Sequence, residues 1–409
     1  MLVFVEAGIA GTGLSALAWA DREGIDIGLV SVDPGRYADG PDGDLLGRLA
    51  ARDRVYRSAD TDADQPDPDL TEWVRAAGTP NGVVCIGDRH LPYAAALAER
   101  LGTPFHPVAA VATLRDKRAA RQVYAELGIR SPRWTPVATA DDALRLFAQA
   151  GPVVLKNVKG SGSMDVLLCR TADEVREHFG TLTDRHRYLG GDLMAEEFVT
   201  GPLYSMETVV SGGTCVCLGT TDRQLGPRPH FCELSYTFPV PLPGAAFDEM
   251  TAGVRAIARH LGITAGFLHS EFILTAEGPV LVEVNARIGG GLLALMMNDC
   301  LTVSCWELLC RTALGEPVAP PEHNGRYASA ITVYPPVAGI LAAQPDRAAV
   351  ESAPFVSDVI LNAAPGDPVR PPTDYRGSVC QVRTCADTPG MAYNAALAAA
   401  RDIPIALAS

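Results

Sequence analysis

The chain is short of lysine. Of its 34 basic residues only Lys117, Lys156 and Lys159 are lysines, and the other 31 are arginines. A chain this biased uses Arg for general positive charge, so a retained Lys marks a place that wants a compact ammonium. Positive charge as a whole is also short. The net charge is −14, which argues against nucleic acid or an anionic membrane as a partner, since either wants a basic face. No apolar run approaches the roughly 18 residues of a membrane-spanning helix. The opening MLVFVEAGIAG has no basic flank and is interrupted by Glu6, so it reads as a first strand, and a cytoplasmic protein is expected. The ten cysteines include no CxxC pair, which argues against zinc, and they are too few for a disulfide scaffold in a chain of this length. Buried reduced thiols are expected. No GxxxxGK[ST] occurs, so a P-loop is excluded. No internal repeat is visible.

What is present is a core. The 409 residues are 47% apolar, enough for about three domains at roughly 150 residues each. Residues 1–112 alternate strands (2–6, 27–32, 83–86) with helices (13–22, 92–101), the pattern of a Rossmann-like parallel sheet. The acidic run 60–69 reads as a solvated loop. A domain over 113–324 follows, with a small lobe at 113–195 and a larger one at 196–324. It opens with a helix over 116–127. The hairpin 153–157 and 165–169 then encloses a Gly/Ser loop, and strands are expected at 193–199, 204–210 and 214–221. A helix over 247–260 and a second hairpin, 267–274 with 280–285, complete it. Residues 325–409 read as a small α+β domain with strands at 330–334 and 378–384 and a last helix at 388–400.

Four constellations could carry chemistry. Gly11, Gly13 and Ala16 with Asp33 fit a dinucleotide fingerprint formally, or simply a tight strand-to-helix turn. Lys156 lies in an apolar strand beside the loop Lys159–Ser163, an anion clamp with a lid, or else an edge-strand Lys beside an ordinary turn. In the second hairpin Glu271 and Glu283 lie six residues either side of Glu277, so they should oppose each other. Glu283, Asn285 and Arg287 should share one face, with Val282 on the other. Opposed carboxylates are unfavourable unless a cation joins them, and two carboxylates with an Asn carbonyl suit Mg²⁺ held together with phosphates. The run Glu196–Val199 ends a strand whose backbone could read a base edge.

In this order the pieces resemble the ATP-grasp superfamily over residues 113–290, and HxE at 269–271 and NARIGGG at 285–291 look most like its L-amino-acid ligase branch. The resemblance implies an α/β and α+β multidomain ATP-grasp fold with ATP and Mg²⁺ as cofactors. It places Lys117, Lys156, Lys159, Ser161, Gly162 and Ser163 on phosphates and lid. Glu196, Glu197 and Val199 fall at the adenine hinge, and Glu271, Glu283 and Asn285 on the metal. Arg287 falls beside the transferred phosphoryl group, with Lys156 sharing the catalytic charge. Glu233, Tyr236, His269, Arg287 and Gly289–Gly291 fall around an amino-acid substrate. Many relatives carry a ribose-binding Glu where this chain has Leu203, so either Glu207, one strand step on, substitutes for it or ribose is held more loosely. Tyr236 stands where His is common. Gly291, four beyond Arg287, either borders a side-chain pocket or serves the backbone.

The implied activity is an ADP-forming carboxylate–amine ligase that joins two amino acids through an acyl phosphate, giving a dipeptide or γ-glutamyl-type amide. Glu233 and His269 are candidates for the base. Alternatives are ligation of a non-amino-acid carboxylate, a nicotinamide-dependent oxidoreductase using residues 11–16, or a regulator without turnover. The expected partners are small-molecule amino acids, and a homodimer is left open.

Overall fold

The computed structural model describes residues 1–8, 12–37, 44–185 and 192–408. Four short strands, β1 (Leu2–Val5), β2 (Ile27–Ser31), β3 (Val55–Arg57) and β4 (Gly82–Val84), form a parallel sheet in the order β3-β2-β1-β4. β1 and β2 are buried along their whole length, as a sheet covered on both faces requires. The parallel Rossmann-like unit is as expected.

Helix Val108–Arg115 crosses to the next unit. The helix expected over 116–127 begins at Lys117 and runs to Glu126, because Asp116 breaks the run. Asp116 is extended, and its carboxylate accepts the N–H groups of Arg118 and Ala119 as an N-cap. β5 (Trp134–Val137), β6 (Val153–Asn157), β7 (Val166–Cys169) and β8 (Leu193–Glu197) form an antiparallel sheet in the order β5-β8-β6-β7, with a small core of its own.

The remaining strands are β9 (Leu203–Ser211), β10 (Thr214–Leu225), β11 (Glu233–Phe238), β12 (Ala265–Thr275), β13 (Gly278–Asn285), β14 (Tyr327–Val333), β15 (Gly339–Ala343), β16 (Val356–Leu361), β17 (Pro368–Val369), β18 (Cys380–Ala386) and β19 (Ala406–Leu407). Eight of them form one sheet, in the order β13-β12-β9-β10-β11-β14-β18-β16. The strands after residue 325 therefore extend the central sheet, with β14 paired to β11 over Ser235–Phe238. Only β17-β15-β19 stand apart.

Eight of the ten cysteines are buried and all are free thiols. Among the described residues, no helix is long and apolar enough to cross a membrane.

Candidate active site

The hairpin β12–β13 places Glu271 directly opposite Glu283, the register that the spacing predicted. Strict alternation fails one residue earlier. Glu271 pairs Glu283 while Phe272 pairs Leu281, so Val282 is the extra residue of a β-bulge. A bulge re-aims its side chains, and Val282 lines the same cavity as Glu283 instead of taking the opposite face.

That cavity, of about 680 Å³, lies between the four-stranded lobe and the eight-stranded sheet. One wall gathers Lys117, Lys156, the loop 160–163, Glu271, Glu283 and Arg287. A second wall holds Glu196, Glu197 and Val199, and a third holds Glu233, Tyr236, Gly290 and Gly291. Lys117 opens its helix, and its Nζ donates to Gly160 O at 2.5 Å and lies 3.7 Å from Glu283.

Lys156 is buried and its Nζ stands 2.5 Å from Glu196, which also meets Arg121 at 2.7 Å. Burial lowers the Lys156 pKa despite Glu196. Burial alone would raise Glu196, but Arg121 and Lys156 outweigh it and hold the carboxyl below its ordinary value. The Glu196 carboxylate is thus engaged by two cations. The Glu197 carboxylate turns to Arg133, 2.5 Å away.

Four expected residues stand outside the cavity wall: Lys159, Glu207, Asn285 and Gly289. Lys159 is exposed. Glu207 is the clearest correction. It is fully buried and bound to Ser205 and His269 at 2.8 and 2.9 Å, so it cannot face a ribose. Asn285 donates its amide to Glu283 Oε1 at 2.9 Å. A Cβ on Gly289 would lie 2.4 Å from Leu293, so that glycine serves packing.

His269 is corrected as a base. Its Nδ1 meets Glu207 at 2.9 Å and its Nε2 meets Glu271 at 3.1 Å. Arg223 Nη1 also lies 3.4 Å from Nε2. Burial and Arg223 oppose a charge on the ring, but Glu207 and Glu271 outweigh them and lift the pKa to about 9, which favours the ring holding a proton over taking one. Glu271 in turn is held down at about 2: burial would raise it, and the His269 hydrogen bond and Arg223 reverse that.

Glu271 and Glu283 supply oxygen alone, the donor type Mg²⁺ prefers. Among the described residues no set of three or more His, Cys, Asp and Glu converges as a closed cage. Mg²⁺ asks for less, one or two carboxylates with phosphates and water completing its shell, and the pair fits that.

Several residues of the site escaped the sequence reading. Asp88 grips Arg287, with Nε to Oδ1 at 3.0 Å and Nη2 to Oδ2 at 3.2 Å. Arg223 on β10 pairs with Glu233 and lies 5.5 Å over the Tyr236 ring. Arg228 stacks 4.2 Å over Phe231 and 5.7 Å over Phe198. The Tyr236 hydroxyl accepts the Leu292 N–H at 2.8 Å. Gly291 has φ +64°, and a Cβ there would lie 2.5 Å from that hydroxyl, so the backbone reading of Gly291 is favoured even though it borders the cavity.

The dinucleotide alternative finds a filled crevice. Gly11 lies outside the described residues. A Cβ on Gly13 would lie 1.8 Å from Ala7 O, so Gly13 permits the tight turn. Asp33 is exposed, 3.8 Å from Arg57. Between the ends of β1 and β2 the buried Glu6 carboxylate already accepts Ser31, the Val32 N–H, Tyr37 and Thr61.

The chain is similar to known proteins. An ATP-grasp domain family matches residues 149–294, and the L-amino acid ligase C-terminal domain 2 family matches residues 331–408. The uncharacterized protein y4rH of Sinorhizobium fredii is 34% identical over 265 residues, covering 64% of this chain and 54% of that protein. Dapdiamide A synthase of Enterobacter agglomerans is 25% identical over 166 residues, covering 40% and 39%. The matches thus span about half or less of these curated relatives. The crystal structure of an L-amino acid ligase from Bacillus licheniformis superposes with a TM-score of 0.77 at 20% identity, covering 100% of this chain and 98% of that one, a likeness of fold.

Proposed function

Since the chain belongs to the ATP-grasp superfamily, on its L-amino-acid ligase side, we propose that it is an ADP-forming ligase that joins the carboxylate of one amino acid to the amine of another. The observation that carries the reading is convergence. Lys117, Lys156 and the hairpin run of Glu271, Glu283 and Arg287 come from three separate segments of the chain and line one cavity beside a Gly/Ser loop.

Roles follow from placement. Lys156 exchanges its partner Glu196 for nucleotide phosphate, while Arg121 remains to balance Glu196. Lys117 stands between the loop 160–163 and Glu283, placed to neutralise charge on the outer phosphates. Glu271 and Glu283 would hold Mg²⁺, whose charge would offset that of the phosphates. Asn285 orients Glu283, and His269 orients Glu271. Arg287, fixed by Asp88, faces the phosphoryl group as it moves from ATP to the substrate carboxylate. The acceptor amine then displaces phosphate from the acyl phosphate. Glu233 remains the candidate to receive its proton, and Arg223 holds that carboxylate in place. The loop 160–163 covers the centre, which keeps water from the acyl phosphate.

The test is release of ADP and phosphate by the full chain with Mg²⁺ and ATP, with and without pairs of amino acids, and product masses read in parallel. Amino-acid-dependent ADP release with a mass equal to the two amino acids less water supports the reading. Nucleotide turnover indifferent to every amino acid would reject it.

A further inference from the structure

The cavity continues past Glu233 and Tyr236 onto β14 and β18, where its wall changes character. Thr332 and Tyr334 come from β14 and its end, Gln381 from β18, and Asn362 and Ser378 from the flanking turns. All five are polar and none carries formal charge at neutral pH. Thr332 and Gln381 are direct ladder partners, so this wall is built on the same sheet as the carboxylates of β12 and β13.

The hydrogen bonds within the wall decide what it can still offer. Gln381 Nε2 donates to Thr332 Oγ1 at 3.1 Å, and Asn362 Nδ2 donates to Ser378 Oγ at 2.9 Å. Ser378 Oγ passes its own proton to Tyr375 O at 3.0 Å. The amide nitrogens thus already donate within the protein. Each amide keeps its carbonyl oxygen free to accept, beside one further N–H, so the wall asks for a group that brings an N–H or O–H of its own and can also accept. An apolar occupant would leave these groups unpaired. A carboxylate would meet the same oxygens, and Arg376, two residues before Ser378, is committed: its Nε and Nη2 lie 3.1 and 2.8 Å from Asp374.

We infer that this wall is the side-chain pocket for one of the two amino-acid substrates, and that it selects an uncharged side chain carrying its own hydrogen-bond donor, a carboxamide or a hydroxyl. The inference rests on the ligase reading and deepens it. Gln381 and Thr332 are its specificity residues.

The experiment uses the full chain with Mg²⁺ and ATP. L-Glutamine, L-asparagine, L-serine and L-threonine are compared with L-methionine, L-leucine and L-glutamate, each against all twenty amino acids as second substrate. The expected result is that the carboxamide and hydroxyl side chains lead by ~10²-fold or more in kcat/KM, as in sites built to bond a polar group. Gln381→Leu should lower that lead by ~10-fold while the KM for ATP stays put, and Thr332→Val should do the same more weakly. Preference for L-leucine, L-methionine or L-glutamate overturns the inference, as does a lead that both variants leave unchanged. ADP release that no amino acid stimulates is the separate signature of a failed ligase reading, and takes this inference with it.

Discussion

Asp88 and Arg287 stand 199 residues apart and meet as a two-pronged ion pair between the parallel-sheet unit and the end of β13. Burial would raise the Asp88 pKa, but Arg287 outweighs it and holds the carboxyl below its ordinary value. Asp88 also offers its backbone carbonyl to Arg115, two residues before Lys117. Asp88→Asn keeps the shape and removes the charge. If Asp88 positions the guanidinium, kcat should fall roughly 10- to 100-fold, with the KM for ATP little changed. Steady-state kinetics beside melting curves check this, and an equal rise in KM with kcat intact would move Asp88 to a binding role.

Glu283→Gln should keep the fold and lose Mg²⁺-dependent turnover by ~10²-fold or more, because an amide is a poor partner for a dication. It also relieves the opposition of Glu271 and Glu283 across the hairpin, so the melting temperature should hold or rise. Titration of activity with Mg²⁺ is the measurement, and near-normal turnover at ordinary Mg²⁺ would remove Glu283 from the metal site.

The three-way cluster of Lys156, Glu196 and Arg121 predicts unequal variants. Lys156→Met leaves Glu196 still paired with Arg121 at 2.7 Å, so ATP affinity should fall with little loss of stability. Glu196→Gln leaves two buried cations without a carboxylate, and should cost about 3 kcal/mol or more. Calorimetric ATP binding and chemical denaturation of the two variants would reveal the asymmetry.

Two neighbouring glycines should behave differently. Gly291 sits at φ +64° with the Tyr236 hydroxyl 2.5 Å from where a Cβ would be. Gly290 has only the tip of Arg287 nearby, at 3.9 Å. Gly291→Ala should therefore lower stability by about 1 kcal/mol or more along with activity, while Gly290→Ala should melt like the parent. A stable, active Gly291→Trp would restore the reading in which that position only borders the pocket.

His106 makes a pH prediction. It is buried, and burial pushes its pKa from 6.5 down to about 4. The folded value lies below the unfolded one, so the native state favours neutral His. That stability is complete above about pH 6.5 and is lost as pH falls toward 4. Between pH 7 and 5 this one group should cost about 2 kcal/mol. Denaturation curves at both pH values, repeated with His106→Phe, should show the variant losing less.

Much of the site was legible because it is local. Glu271 and Glu283 follow from the two-residue period and one turn, and Lys156 with its loop follows from neighbours in sequence. What escaped was tertiary. Nothing near Asp88 announces Arg287, and nothing near Gln381 announces Thr332 or the cavity. Val282 escaped for another reason: one inserted residue resets the alternation, and no composition marks it. Glu207 misled because its position one strand step along said nothing of His269, which claims it. The boundary drawn at 325 follows a change in composition, while hydrogen bonding runs straight across it from β11 to β14.

The shared sheet has a consequence for motion. Glu271 and Gln381 stand on one sheet, with β9, β10, β11 and β14 between their strands. Neither can approach the other without breaking ladder hydrogen bonds, whereas the four-stranded lobe rests on lighter contacts. The Leu168 N–H reaches Pro229 O at 2.9 Å, and a Cβ on Gly162 would stand 3.1 Å from the Tyr375 ring. On the proposed reading the phosphoryl centre and the side-chain pocket share one sheet, so a substrate would be gauged by reach as well as by chemistry.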